Sequence, residues 1–237
     1  MIGSTNFTTS NQMKMIEAFE LAAREKVVVA VVDHHGSGFK FAVKKYMHST
    51  SFTKIAFVEI EFGIHARNLT INLMKQFMNI KFVTKGYKKT EITKMIYDLG
   101  IQVKQNLKGK RVVLIFSNIE RLNTEPRLSR FLRIIRSIPF KCGIILRTTL
   151  THYEKIAKLD EKLFSEFMVM TEKRIVLERN TPMDIQKLCR AYGLKRPELV
   201  EEISKKTLSF TIAMLSITKF LKHSPVTQLE LDLSDSV

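Results

Sequence analysis

The chain has 237 residues, 45% of them hydrophobic and 26% charged, which is the balance of a soluble globular protein with a sizeable core rather than of a disordered or membrane-spanning one. Its net charge of +16 becomes +19 once the three carboxylates of the Lys- and Arg-free segment 224–237 (Glu230, Asp232, Asp235) are set aside, so the rest of the chain should attract polyanions, nucleic acid first among them. A basic solvated surface with no such role and an anionic membrane surface are the alternatives; no apolar run reaches the roughly 18 residues a membrane span needs, no signal peptide opens the chain, and Cys142 and Cys189 lack metal-ligand spacing and read as buried, reduced thiols of a cytoplasmic protein.

In chain order, residues 11–25 carry helical apolar spacing, and the run 26–32, KVVVAVV, is a β-branched strand without alternation, as expected of a strand buried on both faces. Gly36 and Gly38 punctuate a turn, and a helix follows over 39–48. A second strand is predicted at 54–61, helices at 64–79 and 88–107, and a third buried strand at 111–118. Pro126 suits the first turn of a helix running to about Ile138; a fourth strand spans 142–149, a helix runs on to about Phe167, and a fifth strand covers 173–178. Strands alternating with helices imply a mainly parallel five-stranded sheet. Beyond Glu178 the strands stop: Thr181 is placed to cap a helix with Pro182 at its first position, Gly193 to end it, and helices at 196–206 and 208–222 complete a small helical subdomain. The expected organisation is an α/β domain over 1–179, a helical lid over 180–223 and an acidic tail over 224–237.

The turn after the first strand has the punctuation of a phosphate-binding loop, in which glycines let backbone N–H groups curl around phosphate oxygens, a lysine neutralises the outer phosphates and a hydroxyl holds magnesium. Laid on Asp33–Lys40, the pattern G-x-x-x-x-G-K-[ST] meets D-H-H-G-S-G-F-K. Gly38 keeps its place, and Gly36 and Ser37 fit inside the pattern. Phe39 stands where the lysine belongs, Lys40 where the hydroxyl belongs, and Asp33 puts negative charge where glycine is usual. A one-residue shift restores Lys40 as the lysine but puts Phe41 at the hydroxyl. His34 and His35 read as turn residues rather than metal ligands. Read alone, the loop fits equally a turn needing glycine for geometry and a relic of a nucleotide site.

In phosphate-hydrolysing relatives of such a sheet the third strand ends in a magnesium-holding Asp, often followed by a Glu that activates water. Here VVLIFSNIERLN ends its strand in Ser117 and Asn118, with Glu120 two residues on and able to reach back. That segment, followed by KCGIILRTTLTHYEKI and NTPMDIQKLCRAYGLKRPELVEEISKKT, resembles in order and spacing the AAA+ transposition proteins related to the B protein of phage Mu, particularly forms in Bacteroidetes mobile elements; the resemblance covers roughly residues 10–222. It implies a P-loop NTPase (AAA+) type fold, an α/β parallel five-stranded sheet flanked by helices with a small C-terminal helical lid, in DNA-binding ATPases that assemble on target DNA and deliver it to a transposase.

Carried over by position, the resemblance makes Gly36, Ser37, Gly38, Phe39, Lys40 and Thr148 the nucleotide-contacting set, with Thr148 in the γ-phosphate-sensing place. Ser117 falls at the magnesium aspartate and Asn118 at the catalytic glutamate. Only Lys173 and Arg174 stand where the family clusters arginines before the fifth strand, and TLSFTIAML lacks the arginines that open the family's last lid helix. These departures imply degenerate Walker motifs and a fold that hydrolyses ATP poorly or not at all, with ATP or ADP and magnesium as cofactor only if nucleotide binding is retained. An active ATPase using Lys40 and Glu120, and an interaction scaffold docking on an active AAA+ relative, remain the other readings. The expected partners are double-stranded DNA bound without sequence preference, a transposase or AAA+ relative, and further copies of the chain in a homo-oligomer, with no membrane. For DNA, the basic stretch with Lys85, Lys88 and Lys89 and the helical stripe Arg127, Arg130, Arg133 and Arg136 stand out, the latter set against Leu128, Phe131, Leu132, Ile134 and Ile135 on the inward side. A solvated face accounts equally well for that stripe.

Overall fold

Val28–Asp33 forms β1, and its neighbours explain why its valines need not alternate with polar residues. In the computed structural model, which describes residues 8–60, 66–77, 92–107, 109–122, 125–138, 140–151, 153–154 and 161–222, β1 is joined by β2 (Thr53–Glu59), β3 (Arg111–Ser117), β4 (Gly143–Thr149) and β5 (Lys173–Val176). All pairings are parallel, in the order β2-β3-β4-β1-β5. The three central strands are buried almost throughout, whereas β2 alternates in part and β5 is mostly exposed. This is the pattern of a helix-covered parallel sheet with half-covered margins, and the sequence expectation of the fold class holds.

Two boundaries move. The first strand begins at Val28 because Lys26 sits at φ 59°, which ends the preceding helix and cannot start a ladder. The fifth strand is shorter than 173–178, although Leu177 N still donates to Val32 O at 2.8 Å.

The described residues divide into two compact units: one drawn from Met15–Asp33 and Val43–Leu177, the other from Met1–Lys14, His34–Ala42 and Glu178–Val237. In the first unit the sheet is packed by helices that include α1 (Ser10–Glu25), α2 (Phe39–Ser49), α3 (Ala66–Lys75), α4 (Ile92–Asn106), α5 (Glu125–Arg136) and α6 (Glu161–Met170), α1 and α2 each starting in the other unit. Met15, Ala18, Phe19, Ala22 and Ala23 give α1 a buried stripe at helical spacing. That helix lies so close to β4 that a Cβ at Gly143 would stand 2.9 Å from Ala22 N, with the Ala22 carbonyl closer still. Phe116 on β3 meets Phe131 on α5 edge-to-face, ring centroids 5.2 Å apart. Cys142 and Cys189 are buried free thiols, as expected.

The second unit has its own core of Ile185, Leu188, Cys189, Val200, Ile203, Phe210, Ala213 and Ile217, with Phe41 packed against it. Its helices are α7 (Pro182–Ala191), α8 (Pro197–Lys206) and α9 (Phe210–Lys222). Thr181 caps α7 as anticipated and does so reciprocally: Asp184 N donates to Thr181 Oγ1 at 3.1 Å and Thr181 N to Asp184 Oδ2 at 3.0 Å. Gly193, at φ 87°, ends the helix. Segment 224–237 lies outside the described residues.

Candidate functional site

Parallel register brings the last residues of four strands into one row: Glu59 pairs with Ser117, Ser117 with Arg147, and Thr149 with Asp33. In folds of this class the ligand lies beyond these carboxyl ends. Asp33 is fully buried there, and its Oδ1 lies 2.7 Å from Arg147 Nη2. Arg147 Nη1 donates to Asn118 Oδ1 at 2.8 Å, and Asn118 Nδ2 donates to Glu59 Oε1 at 2.9 Å. The result is a chain of alternating sense: anion, cation, amide, anion. A guanidinium can only donate and a carboxylate only accept, so the side chain between them must do both. That requirement explains a neutral amide at 118. Asn118 reaches both partners from a left-handed backbone, φ 63° and ψ 42°, which Asn tolerates better than most residues.

Arg147 was not singled out from sequence, where it reads as a polar residue near a strand end. Two signals marked it: a cation in a strand buried at every position, and an acid, Asp33, ending another such strand. The expectation that Asp33 presents negative charge toward a phosphate is corrected, because its carboxylate is held by Arg147 inside the sheet unit. Thr148 is buried, its hydroxyl 3.5 Å from Thr149 O. Ser117 Oγ donates to Asn118 Oδ1 at 3.4 Å. Glu120 is partly buried, and its Oε2 has no hydrogen-bond donor among the described residues. Arg174 is tied locally: Nη1 donates to Tyr153 Oη at 2.9 Å and the guanidinium lies 5.6 Å from that ring's centre.

In the second unit the loop places Gly36 at φ 78° and Gly38 at φ 91°, conformations that favour glycine. Ser37 N donates to His34 O at 3.1 Å and Ala42 N to Gly38 O at 3.0 Å, so the turn runs straight into α2. Phe39 is buried and Lys40 exposed. A buried ring thus occupies the phosphate-gripping position, and the adjacent cation points to solvent. Gly36 and Gly38 are also closely approached by side chains of the same unit. A Cβ on Gly36 would come within 2.7 Å of Ser209 Cβ, and one on Gly38 within 2.5 Å of Gln12 Nε2 and 3.1 Å of the Phe210 ring.

On α5, Arg130, Arg133 and Arg136 are exposed and Arg127 partly so, while Phe131, Leu132, Ile134 and Ile135 are buried. The helix therefore carries a basic outer side on an apolar inner one. Lys85, Lys88 and Lys89 lie outside the described residues. Among the described residues no three His, Cys, Asp or Glu side chains gather as a metal site, and no helix is long and apolar enough to cross a membrane.

The fold implies ATP with magnesium, and these residues do not fit it. A hard cation prefers anionic oxygen, yet β3 ends in a hydroxyl and an amide, and that amide is committed to Arg147 and Glu59. The outer phosphates would meet Phe39 in place of a lysine.

No family model and no curated protein matches this chain by sequence. Solved structures share its fold. The Aeropyrum pernix ORC2 protein, in ADPNP–ADP complexes, is 12% identical with a TM-score of 0.61, over 92% of this chain and 64% of that one. Domain III of the Thermotoga maritima replication initiation protein DnaA gives 11% and 0.57, over 94% and 87%. Replication initiator DnaA bound to AMPPCP and single-stranded DNA gives 17% and 0.56, over 98% and 66%. The chain spans less than two thirds of the length of the ORC2 structure, and at these identities the likeness establishes the fold: an AAA+ module of the kind found in replication initiators.

Proposed function

We propose that this chain is a DNA-binding accessory protein built on an AAA+ module, acting without efficient ATP hydrolysis in a transposition system of the kind served by relatives of the phage Mu B protein. The observation that carries the binding half is α5, whose Arg130, Arg133 and Arg136 line an exposed side at a spacing of three over a buried apolar back. Such a stripe suits a phosphate backbone and offers nothing to read base edges, so binding is neutral to sequence. The likeness to initiators solved with DNA supports the same partner. The Asp33–Arg147–Asn118–Glu59 chain supports the second half, since it places a fixed cation and a committed amide where hydrolysis calls for a free carboxylate. A transposase or an active AAA+ relative is the protein partner this role requires, and further copies of the chain line up along the duplex.

Fluorescence anisotropy with random-sequence duplex, with and without ATP and magnesium, tests the reading. Binding should be unchanged by nucleotide and should weaken by orders of magnitude between about 50 and 200 mM salt. Binding that needs ATP refutes it; the absence of DNA binding, together with a stable complex with an AAA+ relative, points to a scaffold instead. One observation favours an active enzyme: Glu120 Oε2 is buried without a donor among the described residues, as a water-activating carboxylate could be. Magnesium-dependent turnover abolished in Glu120→Gln would establish that reading.

A further inference from the structure

The start of α9 sits on the glycine loop of its own unit. Phe210 N donates to Gly36 O at 2.7 Å. Ser209 packs against Gly36 so closely that no side chain could be added there, and the Phe210 ring covers Gly38. That ring also meets Phe41, the two centroids 5.1 Å apart. The approach is held from behind: Asn180 Nδ2 donates to Leu208 O at 3.0 Å, and Ser209 Oγ accepts from Ile212 N at 3.3 Å. A helix's first-turn N–H groups are ordinarily open to an anion. Here the N–H of Phe210 is committed to the loop's carbonyl and that of Ile212 to Ser209.

Gln12 shows that this closure is imperfect. Its side chain is fully buried and its Oε1 accepts from Thr9 N at 3.1 Å. Its Nε2, aimed at Gly38, has no acceptor among the described residues. An orphaned buried donor is unfavourable.

We infer that Ser209–Phe210 is an autoinhibitory latch, a segment of the chain occupying the loop that a phosphate-bearing ligand would have to displace, with the Gln12 amide as the donor such a ligand would gain. The inference goes beyond the proposed function and does not rest on it: the latch concerns access to the loop, whether or not DNA binds elsewhere and whether or not nucleotide is cut.

The test pairs binding of a fluorescent ADP analogue with hydrogen exchange read by mass spectrometry on the full chain. Phe210→Pro removes the N–H that holds Gly36 and the ring that covers Gly38, while proline is well tolerated at a first helical position. It should speed exchange across 34–42 and raise affinity for the analogue at least tenfold over the native chain. Faster exchange with no gain in affinity overturns the latch, as does native affinity in the micromolar range with exchange in 207–213 unaltered. If Phe210→Pro fails to fold, Gln12→Met decides. Removing an orphaned donor should raise Tm and slow exchange in 34–42; a lower Tm with faster exchange shows that the amide is already used and that the loop is not held as described.

Discussion

Asp33 and Gly36 stand close together in the chain, yet what surrounds them differs in kind. Asp33, ending β1, is matched by a charge from another strand, and the match extends through Asn118 to Glu59. Gly36 is matched by bulk: Ser209 and Phe210 fill the space beside it, and nearby Gln12 keeps a donor unmet. A fold whose polar corner was shaped for a charged ligand can stabilise that corner without one in either way. The electrostatic solution gives each buried charge a partner of opposite sense and is hard to undo. The steric solution leaves a donor unmet and is easier to open.

The largest test removes the cation. Arg147→Met leaves Asp33 buried without its partner and should lower stability by about 3–5 kcal/mol in urea unfolding, with Asp33→Asn in the same chain recovering part of the loss. Asn118→Asp comes next. It keeps an acceptor for Arg147 but faces Glu59 with a second carboxylate, and should cost about 1–3 kcal/mol, relieved by Glu59→Gln. Gly36→Ala addresses the other solution. Positive φ and the crowding by Ser209 together should cost about 1–3 kcal/mol, with faster exchange confined to the lid unit.

The two units should also part with pH. Burial pushes Tyr46 up to about 12, with Glu20 adding to the shift and Thr53 opposing it, and burial pushes Cys142 up to about 12 as well. Both folded values exceed the ordinary ones of 10 and 9, so this stabilisation is complete below pH 9 and is lost as pH rises toward 12. In the lid, burial raises Asp184, but hydrogen bonds from Thr181 and Ser10 outweigh it and hold the carboxyl below its usual range. That contribution is present at neutral pH and is lost as pH falls through the lowered value. Exchange should therefore accelerate first in the sheet unit under alkali and in the lid unit under acid. The smallest effect on stability belongs to α5: Arg130→Ala with Arg133→Ala should change unfolding by no more than about 0.5 kcal/mol, yet reduce the salt slope of DNA binding by about 0.9 for each phosphate the helix no longer neutralises.

Much of the fold could be read from local pattern. Valine and isoleucine runs announced the central strands, and Thr181, Pro182 and Asp184 announced the start of α7 within a few residues. The site was legible where it depends on residue identity at a fixed place, as with Phe39, Ser117 and Asn118. It was not legible where it depends on strand order. Arg147 finds Asp33 only because β4 lies beside β1, and no spacing along the chain encodes that neighbourhood. The packing of Ser209 and Phe210 on the glycine loop is hidden for the same reason, since it joins segments far apart in sequence.

β5 closes one side of the sheet, pairing among the described residues with β1 alone. Its outer rim leaves main-chain groups able to recruit a foreign strand, a hazard that proteins counter with charge. Lys173 and Arg174 are exposed on that strand, anchored locally by Glu25 and Tyr153. Their positive heads repel a second copy approaching in the same way, so this margin favours a solitary sheet over a fibril.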